Sequence, residues 1–128
     1  MNAQQPLAKE RYISVTTFRR DGTPVATPVW CAGEEGFLFV FSEANSGKVK
    51  RIRRDPHVRV APCGARGKPH GEAVDGDAAI VEGTEKVEAL LASKYGWLWL
   101  AYNLLMAAAR RVRRKPTPRS VTIAITLR

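Results

Sequence analysis

Two glycine turns, Arg20-Asp21-Gly22-Thr23 and Gly33-Glu34-Glu35-Gly36, cut the first forty residues into three short segments. Residues 11–18 (Arg-Tyr-Ile-Ser-Val-Thr-Thr-Phe), 25–31 and 37–41 (Phe-Leu-Phe-Val-Phe) are rich in β-branched and aromatic side chains. Such residues suit a half-buried pleated surface, and Asp-Gly between two such runs is a hairpin signal. Strands joined this tightly must run antiparallel. Residues 37–41 are apolar on both faces, which predicts a central strand. Three more segments, 57–62, 77–82 and 120–127, have the same character. Val121, Ile123, Ile125 and Leu127 alternate in the last of them and share one buried face. Six short strands with tight connections favour closure into a small barrel over an open sheet with two bare edges.

A helical insertion, residues 84–115, separates the fifth strand from the sixth. Thr84 is placed to cap a helix over 85–95, in which Val87, Leu90 and Leu91 keep helical spacing. Gly96 breaks it, and a second helix over 97–114 is stopped by Pro116 and Pro118. Apolar residues surround this second helix, which predicts burial. The basic cluster Arg110, Arg111, Arg113, Arg114 and Lys115 at its end admits three readings. It is a solvated terminus favoured by the helix dipole, a contact with a membrane surface, or a reach toward an acidic ligand. Trp97 and Trp99 point in different directions, so at least one meets an interface.

The chain has 128 residues, which predicts one domain over 1–128. With 45% hydrophobic and 26% charged residues it has the composition of a globular domain and not of a disordered one. A formal net charge of +9 points to an anionic partner. The first ten residues hold no apolar signal core, and the longest apolar run, 97–109, is short of the roughly 20 residues of a membrane span. The expectation is a cytoplasmic protein, with peripheral attachment at the inner membrane face left open. Cys31 and Cys63 are read as reduced thiols, and the cysteines and histidines lack the paired spacing of a zinc site.

The candidate chemistry gathers in residues 42–56, Ser-Glu-Ala-Asn-Ser-Gly-Lys-Val-Lys-Arg-Ile-Arg-Arg-Asp-Pro. An apolar strand runs into small polar residues and then into a short helix carrying Lys48, Lys50, Arg51, Arg53 and Arg54. Unsatisfied N–H groups and the dipole at a helix start favour an anion there, so the stretch reads as a phosphate clamp. Pro28, inside the second predicted strand, removes a ladder donor. It marks an edge, a bulge or the approach of a ligand to the backbone. Trp30 either stacks on such a ligand or fills the core.

Taken in order, Gly22-Thr23-Pro24, Thr27-Pro28-Val29-Trp30, Ser46-Gly47-Lys48, Arg53-Arg54-Asp55-Pro56-His57-Val58 and Val74-Asp75-Gly76-Asp77-Ala78 resemble the pyridoxamine 5'-phosphate oxidase-like superfamily. Within it the chain most resembles the small deazaflavin-dependent oxidoreductases of actinobacteria, which use coenzyme F420. The match covers about residues 10–83 and the last strand. The resemblance implies a mainly β, six-stranded antiparallel split β-barrel and a homodimer with cofactor sites at the interface. It implies that Thr27, Pro28, Val29 and Trp30 lie along the ring of the cofactor. Ser42, Ser46, Gly47, Lys48, Lys50 and Arg51 would hold its phosphate side. The cofactor is expected to be F420, with FMN as the alternative, and the reaction is hydride transfer from the reduced deazaflavin to an unsaturated or conjugated small molecule. One departure matters: the last strand has no histidine, unlike the substrate segment of pyridoxamine phosphate oxidase itself, so vitamin-B6 oxidation is discounted.

A flavin-type cofactor carries the redox chemistry, so no catalytic triad is required, and none is found. Tyr95, Tyr102, His57 and His70 are candidate proton donors, none preferred. A non-catalytic flavin- or deazaflavin-binding protein is the second reading. A single-stranded nucleic-acid-binding barrel is the remote third, disfavoured because the aromatics are not interleaved with the basic residues.

Overall fold

The computed structural model describes residues 7–34, 36–113 and 119–128. Its strands are β1 (Tyr12–Phe18), β2 (Pro24–Val29), β3 (Ala32–Glu34), β4 (Phe37–Glu43), β5 (His57–Cys63), β6 (Val74–Glu82) and β7 (Ser120–Leu127). Three helices join them: α1 (Gly47–Arg54), α2 (Glu85–Tyr95) and α3 (Trp97–Arg113). The expected stop of the last helix at Pro116 and Pro118 lies outside the described residues.

There are seven strands where the sequence predicts six, because β3 occupies 32–34, largely within the turn expected over 33–36, while the expected strand over 25–31 ends as β2 at Val29. The break falls at Trp30-Cys31, where β2 leaves one edge of the sheet and β3 begins the other. The order is β2-β1-β5-β6-β7-β4-β3, with every pairing antiparallel. The two edge strands are therefore consecutive in the chain, and the two-residue link spans at most about 11 Å. The sheet curls until its edges approach, yet no ladder joins them. The expected closed barrel is thus corrected to an open, split one.

Pro28 lies opposite Ser14 on edge strand β2, where a missing donor costs no ladder bond on the free side. The first turn is longer than a two-residue hairpin: Phe18 pairs with Pro24, and Gly22 takes φ 89° while its N–H donates to Arg19 O. The second is tight, Glu34 pairing with Phe37.

Two apolar clusters share no residue. The first fills the sheet's concave side with Ile13, Leu38, Val40, Val60, Ile123 and Ile125, and Val49 and Ile52 of α1 join it. The second lies between β3–β4 and the helical insertion: Ala32, Val87, Leu91, Tyr95 and Trp99, with Trp30, Phe39 and Phe41 packed on it. Strand β4 is the wall between them, and its alternation sends 38 and 40 one way and 39 and 41 the other.

The predicted burial of the second helix does not hold. Of its large apolar residues Trp99 is 8% exposed, but Trp97 is 74%, Leu104 64% and Leu105 68% exposed. Only one side of α3 meets the rest of the molecule, so apolar residues all round the helix cannot all be covered. Thr84 stands at the start of α2 as expected, but its hydroxyl makes no cap bond and instead donates to Glu88 Oε2 at 2.8 Å.

Candidate cofactor site

Between the curled sheet and the helical insertion lies a cavity of about 840 Å³. That is within the range of small-molecule sites. Its wall brings together Thr27, Pro28 and Val29 of β2, Trp30 of the link, Ser42 at the end of β4, and Ser46 and Lys48 around the start of α1. Seven of the ten residues singled out from the sequence thus face one space.

The polar cluster is built by the strand-to-helix turn. Ser46 caps α1, its Oγ accepting from Val49 N at 3.4 Å and lying 3.1 Å from Ser42 Oγ. This leaves the amide groups of the first helical turn and the Lys48 ammonium in one neighbourhood. No carboxylate lies in the first turn of α1 to quench it. Burial lowers the Lys48 pKa, and the nearby Arg51 lowers it further, while Glu43 pulls it up. A half-buried cation with no ion pair among the described residues is in want of an anion.

The other three candidates sit elsewhere. Gly47 opens α1 but does not line the cavity. Lys50 and Arg51 line a separate hollow of about 340 Å³, with Arg19, Arg20 and Arg54. There Arg51 Nε donates to Thr17 Oγ1 at 2.6 Å, and Arg54 donates to Phe18 O. For Lys50 the reason is helical geometry, since positions 48 and 50 are about 200° apart around the axis. Arg51 is only about 60° from Lys48 around the axis and is held outside the cavity by its bond to Thr17.

Aromatic rings form the other part of the wall. Trp30 stacks on Tyr95, 4.6 Å between centroids and 13° between planes, and meets Trp99 and Tyr102 at 6.2 and 5.5 Å. Phe41 meets Trp99 edge-on at 5.5 Å. Helix α3 contributes Trp99, Tyr102, Asn103, Met106 and Arg110. Tyr12, Thr84, Glu88, Leu91 and Ser120 complete the lining beside Phe41 and Glu43. The sequence reading named Tyr102 as a candidate proton donor and Arg110 within a basic cluster for which reach toward an acidic ligand was one reading; it did not assign the others to a site. Its missed signal was the spacing 99, 102, 103, 106, 110, which is one face of a helix.

Of the candidate proton donors, only Tyr102 lines the cavity. His57 is occupied outside it, its Nε2 2.9 Å from Asp75 Oδ1 and its ring stacked on Phe18. His70 stands 3.9 Å from Glu10 Oε2. Tyr95 is a brace: its hydroxyl donates toward Arg11 O at 2.7 Å and Cys31 O at 3.1 Å, and accepts from Cys31 N at 3.2 Å. Burial raises the pKa of its phenol well above the usual tyrosine value. Lys94 completes the brace, donating to Glu10 O and Cys31 O at 2.7 Å each. Together they pin the strand switch that carries Trp30. Tyr95→Phe should lose roughly 1–2 kcal/mol, because the Cys31 N–H is left without its acceptor in a buried place. Urea unfolding checks this, and an unchanged midpoint would remove the brace.

The profile of the family described as Pyridoxamine 5'-phosphate oxidase matches residues 2–126. No curated protein matches the chain. Among solved structures, an F420 reductase superposes with TM-score 0.62 at 17% identity, over 100% of this chain and 95% of that one. The heme storage protein HutZ of Vibrio cholerae does so with TM-score 0.66 at 12% identity, over 97% and 87%. A pyridoxamine 5'-phosphate oxidase-related, FMN binding protein of Nostoc punctiforme gives TM-score 0.56 at 16% identity, over 97% and 74%. At such identities the likeness is one of fold, and the three are named for three different ligands. The family match spans nearly the whole chain and agrees with the split antiparallel sheet: this chain belongs to the pyridoxamine 5'-phosphate oxidase family.

Proposed function

We propose that the protein is an oxidoreductase that binds reduced coenzyme F420 and passes a hydride to an unsaturated or conjugated small molecule. The observation that carries this is the composition of one cavity wall. A hydroxyl and ammonium group (Ser42, Ser46, Lys48) and an aromatic group (Trp30, Trp99, Tyr102) face the same 840 Å³. A ligand joining a phosphate to a flat ring system matches both parts. Lys48 and the start of α1 would hold the phosphate, through charge-assisted bonds. The exposed backbone of β2 over Thr27, Pro28 and Val29 would lie along the ring. The bound cofactor supplies the hydride chemistry; the chain binds it, orients it and excludes water. The likeness to an F420 reductase and the matching motifs support the deazaflavin over a conventional flavin. The homodimer implied by the resemblance belongs to the same proposal. Vitamin-B6 oxidation is not proposed, since β7 carries no histidine.

The deciding experiment is titration with F420 and, separately, with FMN, followed by cofactor fluorescence. Tight F420 binding with weak FMN binding supports the proposal. The reverse preference moves the chemistry to FMN, which the family's FMN binding member from Nostoc favours. Binding of neither sinks the redox reading.

A pH dependence follows from Lys48. A phosphate is held best while the ammonium is charged, so affinity is greatest below the Lys48 pKa and falls as pH rises through it. Because burial lowers that pKa, the fall should begin at lower pH than an exposed lysine gives. Lys48→Arg, whose guanidinium stays charged, should flatten the profile. A fall that persists unchanged in the arginine variant would assign the titration to another group.

A further inference from the structure

Helix α3 has two faces. The inner one, 99, 102, 103, 106 and 110, lines the cavity. The outer one carries Trp97, Leu100, Leu104, Leu105 and Val112, which at about 100° per residue fall within an arc of roughly 140°, and these side chains are 74, 60, 64, 68 and 82% exposed. Ala101 and Ala108 fill the gaps and are also exposed. A stripe of this spacing belongs against a partner, yet here it faces away from the sheet and from α2. Two further facts choose the occupant. The helix holds no carboxylate anywhere in Trp97–Arg113. Exposed Arg111 stands within the stripe's last turns, and the sequence goes on through Arg113, Arg114 and Lys115.

We propose that the outer face of α3 docks on an anionic lipid bilayer, lying in the plane of the interface. Its apolar stripe would enter the boundary between headgroups and acyl chains, and the arginine end would meet lipid phosphates. Local charge decides against a second copy of this face as the occupant: it would bring another carboxylate-free helix with the same arginines, whereas an anionic membrane complements them, and the homodimer proposed above would use a different face. The helix lies on the bilayer without crossing it, since at 17 residues it is about 25 Å long. Among the described residues no helix is long and apolar enough to span. The proposal does not depend on the cofactor.

The test is flotation of the full chain with vesicles of phosphatidylcholine containing phosphatidylglycerol, and with phosphatidylcholine alone. Tryptophan emission of the chain and of its Trp97→Phe variant, and light scattering of the free protein, are recorded in parallel. Binding to the anionic vesicles should exceed binding to the neutral ones by about tenfold at low salt and weaken in high salt. The double variant Leu104→Gln/Leu105→Gln should lose about tenfold of it. Because both side chains are mostly exposed, its circular dichroism should be unchanged. Should that variant misfold, Arg111→Gln must reduce the anionic preference, and tryptophan emission must shift to the blue on anionic vesicles by a shift that Trp97→Phe diminishes. No binding to either vesicle overturns the proposal, as does equal binding by the double variant. A dimer that the double variant dissociates overturns it in favour of a second copy.

Discussion

Lys48→Ala should weaken cofactor binding at least tenfold, about 1.4 kcal/mol or more. The argument rests on where the ammonium stands. It lines the cavity beside Ser46, the cap of α1, and no carboxylate of the described residues lies within ion-pair distance of it. Its charge is costly in the free protein, which the lowered pKa reports, and a bound phosphate removes that cost while adding a charge-assisted bond. Lys50→Ala, in the other hollow, is the control and should leave affinity within about twofold. Fluorescence titration of both variants decides. Equal loss in the two would mean that the whole basic helix acts as a diffuse field and that no clamp exists. No loss in Lys48→Ala, with a folded protein, would remove the phosphate assignment.

The second large effect is on stability. Leu91→Ala should cost about 2–5 kcal/mol, the range for emptying a buried leucine site. Leu91 is 1% exposed and joins α2 to β3–β4 through the second apolar cluster. Because that cluster shares no residue with the one inside the sheet, the loss should fall first on the insertion. Amide exchange should speed up through α2 and α3 while β5, β6 and β7 keep their protection. Uniform loss of protection over both regions would show that the clusters unfold as one unit.

Most strands were legible because alternation is a local signal. Val121, Ile123 and Ile125 are each buried as their spacing predicts and Leu127 is half-buried, although Thr122 and Ala124 on the opposite face are buried as well. The start of α1 was legible for the same reason: a serine, a glycine and a lysine after an apolar strand are neighbours in sequence and in space. What escaped were features set by distant neighbours. The break at Trp30-Cys31 carries no turn residue, and both side chains fit a strand, so only the pairing of β2 with β1 and of β3 with β4 reveals it. Lys94 keeps helical spacing with Val87 and Leu91, and no local signal shows that its amine binds carbonyls 63 and 84 positions away. The exposure of α3 was misjudged because a helix that is apolar all round predicts burial only if the molecule supplies walls on every side. The separation of Lys48 from Lys50 needed only the rotation per residue, but a run of basic residues read as one group hides it.

The disjoint clusters also bear on how such a chain can change over generations. Along β4 a substitution at 39 or 41 reaches the cavity side, and one at 38 or 40 reaches the inside of the sheet. A lineage can therefore reshape what it binds, one alternate residue at a time, while leaving the core inside the sheet untouched. That freedom accords with a fold whose members are named for a deazaflavin, a heme and a flavin at sequence identities of 12–17% to this chain.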